Sequence, residues 1–181
     1  LLEPLLDYET NGAGDYYLIP KKTRQESIID PYIYPIGGKD VLMVSLVAPI
    51  VANGQFYGIA GVDLDVDFLQ SLADEVKIFN GAGRLRLLSN NGTITAATGQ
   101  PELNGKNISD QMANAKDVLA IIQGGKEQQT VEGNMLTIYA PIQFGDARTP
   151  WSVEITIPYA EVTAQANQQA LQMVLIAAAM I

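Results

Sequence analysis

Ser45-Leu46-Val47-Ala48-Pro49-Ile50 returns later in the chain as Thr137-Ile138-Tyr139-Ala140-Pro141-Ile142. Each copy precedes a loop, a second apolar strand and the start of an amphipathic helix. Gly58-Ile59-Ala60-Gly61-Val62-Asp63-Leu64 and Val66-Asp67-Phe68-Leu69 follow the first copy; Trp151-Ser152-Val153-Glu154-Ile155-Thr156-Ile157 and Tyr159-Ala160-Glu161-Val162 follow the second. The hydrophobic positions coincide when Asp63 is laid on Thr156. Many short repeats would stack into a solenoid, whereas two copies of strand, strand and helix make a pair of small α+β modules in tandem.

A chain of 181 residues, 48% of them hydrophobic, has material for one large core or two small ones. Its net charge of -9, from 20 acids against 11 bases, argues against a nucleic-acid surface, which needs clustered Lys and Arg. The acidity reads first as solubility and second as a weak field that draws in cationic ligands. Cysteine and histidine are both absent, so disulfides, thiolate zinc sites and the Ser-His-Asp and Cys-His arrangements cannot be built. GxGxxG, GxxxxGK[ST] and HExxH are absent as well. No enzyme, cofactor or metal site is expected, and any catalysis would rest on carboxylates, Lys, Tyr or Ser.

No signal peptide opens the chain, and Leu1-Leu2-Glu3 reads as the middle of a longer sequence. The run Leu171-Gln172-Met173-Val174-Leu175-Ile176-Ala177-Ala178-Ala179-Met180-Ile181 is nearly all apolar, but a bilayer-spanning helix needs about 20 such residues. It is either a buried terminal helix or the first half of a transmembrane one. The run is unbroken at Ile181, and Gln168-Gln169 stand where a water interface would be, which favours the second.

Between these ends, Asn11-Gly12-Ala13-Gly14 is a turn signal, and residues 15–35, rich in Tyr and cut by Pro20, Pro31 and Pro35, predict an extended, irregular segment. Strands over 41–51 and 55–64 flank Asn53-Gly54, a strong hairpin signal. Asp65 caps a predicted helix reaching Phe79, with Phe68, Leu69, Leu72, Val76 and Phe79 on one face. Residues 84–88 and 93–97 flank a hairpin at Ser89-Asn90-Asn91-Gly92. An amphipathic helix follows over 109–123, capped by Ser109 or Asp110 and ended by Gly124-Gly125. Strands near 127–132, 134–143 and 151–157 complete an antiparallel sheet of about five strands. A helix from Tyr159 then runs without a strong breaker into the apolar end.

The order of these pieces resembles the double Cache sensor domains of bacterial methyl-accepting chemotaxis proteins. The Tyr-rich stretch ending in Asp30-Pro31-Tyr32, the strand closing on Pro49-Ile50, Asn53-Gly54 and Gly58-Ile59-Ala60-Gly61-Val62-Asp63-Leu64 carry the resemblance. So do Asp15-Tyr16-Tyr17-Leu18-Ile19-Pro20-Lys21-Lys22-Thr23 and the opening hairpin of the second module, Arg84 to Gly92. It covers most of residues 8–171. The resemblance implies two PAS-like modules, antiparallel sheets flanked by helices, in an N-terminally truncated receptor. Residues 1–64 would be the C-terminal half of the membrane-distal module, 65–80 a linking helix, 81–158 the membrane-proximal module, and 159–181 a helix entering the second transmembrane segment. It further implies a homodimer in the bacterial inner membrane, with this region in the periplasm passing a signal to a cytoplasmic domain.

Asp63 closes an apolar strand, where an ionised carboxylate costs several kcal/mol unless a cation or a set of donors answers it. Capping of the next helix is the structural alternative, and we assign that role to Asp65. Tyr16, Tyr17, Tyr32 and Tyr34 can surround an ammonium with ring faces and phenol hydroxyls, although some must serve ordinary packing. The resemblance implies Asp63, Tyr17 and Tyr32 as ligand residues. It also implies an Arg before the aromatic pair in amino-acid sensors; Gly14 and Asp15 stand there instead, which favours an amine or polyamine over an amino acid or small carboxylate. Asp15 joins the candidate set as a further anion. Thr156 replaces Asp63 in the second copy, so that module is expected to transmit rather than bind.

Two other classes remain open in the sequence. A hydrolase would pair two of Asp15, Asp30, Asp40 and Asp63, and the sensor region of a histidine kinase or cyclase would look the same over this length. For the terminus, we expect the apolar run to continue to about 20 residues and to be followed by Lys or Arg. Sequencing past Ile181 checks this, and a stop codon or an acidic run there would refute it.

Overall fold

Asn53 and Gly54 both take positive φ, 52° and 76°, and reverse the chain so that Ala52 faces Gln55. The computed structural model describes residues 7–164. This hairpin joins β2 (Lys39–Ala52) to β3 (Gln55–Asp65), and β1 (Ser27–Ile36) pairs with the other edge of β2, giving an antiparallel meander in the order β1-β2-β3. The second sheet holds β4 (Arg84–Leu88), β5 (Ile94–Ala97), β6 (Gln128–Glu132), β7 (Met135–Ile142) and β8 (Trp151–Pro158), in the order β5-β4-β8-β7-β6.

The repeat is visible in the register. Pro49 lies opposite Ile59 and Pro141 opposite Ser152, so Ser45 faces Asp63 just as Thr137 faces Thr156. The likeness extends upstream to a helix: α1 (Asp15–Thr23) precedes the first meander and α3 (Ala115–Gly124) the second. Both helices end on a left-handed residue, Arg24 at φ 59° and Gly125 at φ 58°. One difference matters for the site. β8 continues into β4 on its far side, whereas among the described residues the outer edge of β3 has no partner.

Residues 15–23 are helical, not extended. Pro20 lies in the second turn of α1, where its missing N–H forfeits one bond to the Tyr16 carbonyl, and it is buried there. The extended reading holds from Ser27 onward. Pro31 and Pro35 are accommodated because β1 is an edge strand with a bulge between Ile29 and Tyr32.

The linking helix is shorter than its apolar spacing predicts. α2 spans Asp67–Glu75, Val76 is extended, and Phe79 and Asn80 take positive φ within a 3₁₀ turn. Asp65 caps it as expected, its Oδ1 accepting from the Asp67 N–H at 2.8 Å. Only Leu69 of the apolar stripe packs against the core clusters, for Phe68 and Leu72 are 54% and 52% exposed while Gln70 and Ala73 are buried. Polar bonds decide this. Gln70 donates to the Ala97 carbonyl at 2.9 Å and accepts from the Ala97 N–H at 3.0 Å, as a neighbouring strand would. Asp74 accepts from the Gly99 N–H at 2.7 Å. These bonds turn α2 onto β5 and bury Ala73 against Leu87 and Ala96.

Apolar packing also joins the modules. Ile28, Val44 and Val66 share one cluster with Ala147 and Trp151, whose ring meets Phe144 edge-on at 5.3 Å between centroids. A second cluster, Leu88, Ile94, Ile108, Val118, Ile122 and Tyr139, lies between the second sheet and α3. α3 starts at Ala115 with Asn114 as its cap position, later than its predicted start, because Ile108–Asp110 forms a separate 3₁₀ turn. A helical turn occupies residues 159–164. The apolar run of 171–181 lies outside the described residues, among which no helix is long and apolar enough to cross a membrane.

Gln70→Ala would take the side-chain acceptor from the Ala97 N–H and leave its carbonyl with the Gln100 N–H, at 2.9 Å, as the donor inside the joint. We expect a loss on the order of 2 to 3 kcal/mol by urea denaturation, against less than about 1 kcal/mol for Gln123→Ala on the exposed end of α3. Equal effects would show that the joint does not depend on Gln70.

Candidate functional site

The bulge in β1 builds the first part of the site. Ile29 lies opposite Ser45 and Tyr32 opposite Met43, so three residues of β1 span two of β2. The extra residue brings Tyr32, rather than Pro31, across from Met43. Tyr32 Oη lies 2.9 Å from Ser45 Oγ, and Ser45 Oγ donates to Asp63 Oδ1 at 2.6 Å. Three strands thus contribute one residue each to a short chain of oxygens.

α1 packs against all three strands. Its Tyr16 joins the group: partial burial, then the nearby Tyr32, Asp7, Asp63 and Tyr34, hold its phenol above the ordinary value. The Tyr32 phenol is pushed up as well, first by burial and then by the Asp63 carboxylate and Tyr34, against the opposing bond to Ser45. Both phenols are therefore neutral hydroxyls across the physiological range. Tyr34 is 53% exposed at the rim.

Asp63 is exposed, not buried. The apolar strand around it suggested enclosure, but β3 is an edge strand among the described residues and Val62 beside it is exposed too. Tyr17 and Asp15 stand apart from this group. Tyr17 meets Tyr8 and Phe56 edge-on at 5.1 and 5.5 Å, with the Lys21 ammonium 5.1 Å from its ring centroid. Asp15 accepts from the Gly12 N–H at 2.9 Å and so closes the turn before α1. The structure brings together Tyr16, Tyr32, Tyr34 and Asp63, and adds Ser45, which the sequence did not single out.

Asp30, one residue into the same bulge, leaves the first sheet altogether. Its carboxylate accepts from the Asn91 N–H at 3.3 Å in the β4–β5 turn, with Ser89 and the Asn90 N–H close by. Burial raises its pKa more than these donors lower it. Strand β1 thus carries Tyr32 at the site and, two residues earlier, a contact to the second module.

The second module fills the equivalent face from within. Glu154 stands where the first copy has Gly61, and cross-strand pairing sets it between Arg86 and Tyr139. Arg86 donates to both Glu154 oxygens at 2.6 Å from Nη2 and at 2.9 Å from Nε, and Glu154 is only 4% exposed. Burial, then the Glu154 charge, raises the Tyr139 phenol. Concavities of about 510 and 370 Å³ lie elsewhere, lined mainly by apolar groups such as Leu46, Val62 and Phe144 in the first and Leu72, Leu85 and Val153 in the second. Among the described residues no cluster of three or more carboxylates could hold a metal ion.

Residues 3–71 match the family model of the methyl-accepting chemotaxis protein-like first PDC sensor domain. Over 146 residues the chain is 27% identical to methyl-accepting chemotaxis protein TlpQ of Pseudomonas aeruginosa, an alignment covering 79% of this chain and 20% of that protein. The extracellular domain of mmHK1S-Z2, described as a histidine kinase, matches with a TM-score of 0.73 and 29% identity over 89% of this chain and 60% of that one. Methyl-accepting chemotaxis protein X matches with a TM-score of 0.61 and 27% identity over 86% and 57%. The chain thus spans a fifth of the length of the chemotaxis protein and about three fifths of the two solved chains.

The pH dependence of the Asp30 contact has a definite sign. A carboxyl whose folded pKa lies above its unfolded value loses stability as pH rises from the unfolded value through the folded one. Asp30→Asn keeps an acceptor for the Asn91 N–H without the charge. We expect its melting temperature at neutral pH to equal or exceed that of the unsubstituted protein, with no such advantage near pH 3. A lower melting temperature at neutral pH would show that the charge itself holds the joint.

Proposed function

We propose, for a chain that carries the two-module PDC (Cache) sensor fold of chemoreceptor and histidine-kinase extracellular domains, that it binds a small cationic amine or polyamine on its first module. The observation that supports this is the linked group Tyr32, Ser45 and Asp63, with Tyr16 and Tyr34 beside it. A carboxylate with aromatic neighbours answers an ammonium by charge, hydrogen bonds and ring faces together. Tyr17 and Asp15 then act indirectly, by holding α1 in place. The second module transmits, since Arg86 and Glu154 already occupy each other there.

In the whole receptor we place this region in the periplasm, ahead of a helix into the inner membrane, in a homodimer that signals to a cytoplasmic chemotaxis output. A kinase or cyclase output is the alternative. No catalytic role is assigned, because the grouped residues include a single carboxylate and no histidine or cysteine.

An amino acid is the second reading, and it requires a cation for the α-carboxylate. Two of the three cations at the C-terminal end of α1 lie over rings, Lys21 over Tyr17 and the cap residue Arg24 over Phe56 at 4.9 Å from its centroid, and Lys22 beside them is exposed. That arrangement favours the amine.

Calorimetry with 1,4-diaminobutane tests the assignment. Because Asp63 is exposed, its removal should cost less than breaking a buried pair: we expect Asp63→Asn to weaken binding by about 1.5 to 3 kcal/mol, the range for a hydrogen bond to a charged group. Unchanged affinity, or amino acids binding while amines stay silent, would overturn both the residue and the ligand class.

A further inference from the structure

Ser45 has one proton and two neighbours. Its Oγ lies 2.6 Å from Asp63 Oδ1 and 2.9 Å from Tyr32 Oη. An ionised carboxylate only accepts, so the serine proton goes to Asp63. Tyr32 must then donate to Ser45, because the serine has no second proton to give. The chain runs in one direction, from Tyr32 through Ser45 to Asp63. Ser45 is 2% exposed, so solvent does not offer it another partner.

This direction fixes what the group can show a ligand. The Tyr32 proton is turned inward, which leaves the phenol oxygen only lone pairs for a ligand. Asp63 has Oδ2 and its remaining lone pairs, also acceptors. From this we infer that Ser45 is a positioning residue that makes the Tyr32 and Asp63 oxygens an acceptor-only pair, and that this pair selects amines bearing several N–H donors over quaternary ammonium ions. The inference rests on the amine reading above and sharpens it. A quaternary ion matches the charge of Asp63 and the faces of Tyr16 and Tyr34, but it has no proton for either oxygen. A primary ammonium has three and can meet Asp63 Oδ2 and Tyr32 Oη at once.

Without Ser45 the direction is lost. In Ser45→Ala the Tyr32 hydroxyl is free to rotate and donate outward, and Asp63 loses the bond that holds its carboxylate. Both changes act on a ligand with N–H groups and hardly at all on one held by charge and ring faces. A general loosening of the fold would weaken both ligands alike.

The experiment titrates the full chain by calorimetry with 1,4-diaminobutane and with its hexamethyl bis-quaternary analogue. We expect the primary diamine to bind at least roughly tenfold more tightly, as for one or two charge-assisted hydrogen bonds. Ser45→Ala should shrink that ratio to within about threefold by weakening the primary diamine alone. Tyr32→Phe removes the outward acceptor by another route and should shrink the ratio in the same way, with melting temperature followed for both variants. Equal binding of the two probes, or a ratio unchanged in both variants, overturns the directional inference while leaving the amine reading in place. No binding of either probe overturns the amine reading, and this inference with it.

Discussion

The facing of Ser45 and Asp63 across β2 and β3 is the constraint on which the site depends, and a single bulge sets it. Counted from the Asn53-Gly54 turn, Ala52 faces Gln55 and Val51 faces Phe56, but Ile50 faces Gly58. Tyr57 is the extra residue. Were Tyr57 paired with Ile50 in a regular ladder, Val44 would stand opposite Asp63, with an apolar side chain where the hydroxyl now stands, and every later residue of β3 would change faces. Gly58, at φ 148°, takes the backbone conformation that the bulge requires. The second bulge, at Asp30 and Pro31, does the same for Tyr32. Two irregularities in otherwise regular strands thus bring the three polar groups to one place.

Those irregularities also explain what was legible in the sequence. The repeat, the two hairpins, the antiparallel sheets and the α+β class follow from patterns that strands and turns impose locally. Tyr16, Tyr32, Tyr34 and Asp63 were recognisable as residue types that could serve one ligand. Ser45 was not, because the turn alone predicts Val44 as the neighbour of Asp63, and a bulge leaves no reliable mark in a single sequence. The exposure of Asp63 was hidden for a related reason: an apolar strand reads as buried whether or not its outer edge is covered. α1 was missed through Pro20, which costs a helix one hydrogen bond and in this place is offset by burial. The length of α2 was overread because its apolar spacing continues to Phe79, while Gln70 and Asp74 decide which face packs.

The joint between modules mixes the same two kinds of interaction. Ile28, Val44, Val66 and Trp151 exclude water, which favours association but leaves the angle loosely set. Gln70 on Ala97 and Asp30 on the β4–β5 turn are directional, and they fix that angle. Since Asp30 and Tyr32 sit on one bulged strand, a movement of β1 at the site would reach the second module through a contact two residues away. An apolar cluster alone could slide without passing on such a change.

The two modules carry different polar groups at equivalent places on one scaffold. At the position of Gly61 the second copy has Glu154, and the strand β4 supplies Arg86 to meet it. Removing one partner of such a buried pair typically costs about 3 to 5 kcal/mol, because the other charge is left desolvated. A cation entering the second module would have to displace Arg86 from Glu154 and a ligand carboxylate would have to displace Glu154 from Arg86; either incurs a penalty of that kind before any new contact forms. In the first module Gly61 brings no charge, and Asp63, two residues further on, is held by a neutral hydroxyl. A bond from serine orients a carboxylate without neutralising it, so the charge remains available to a ligand. On the proposed reading, the difference between the two modules lies in whether the acidic side chain of β3 or β8 is answered by a serine or by an arginine.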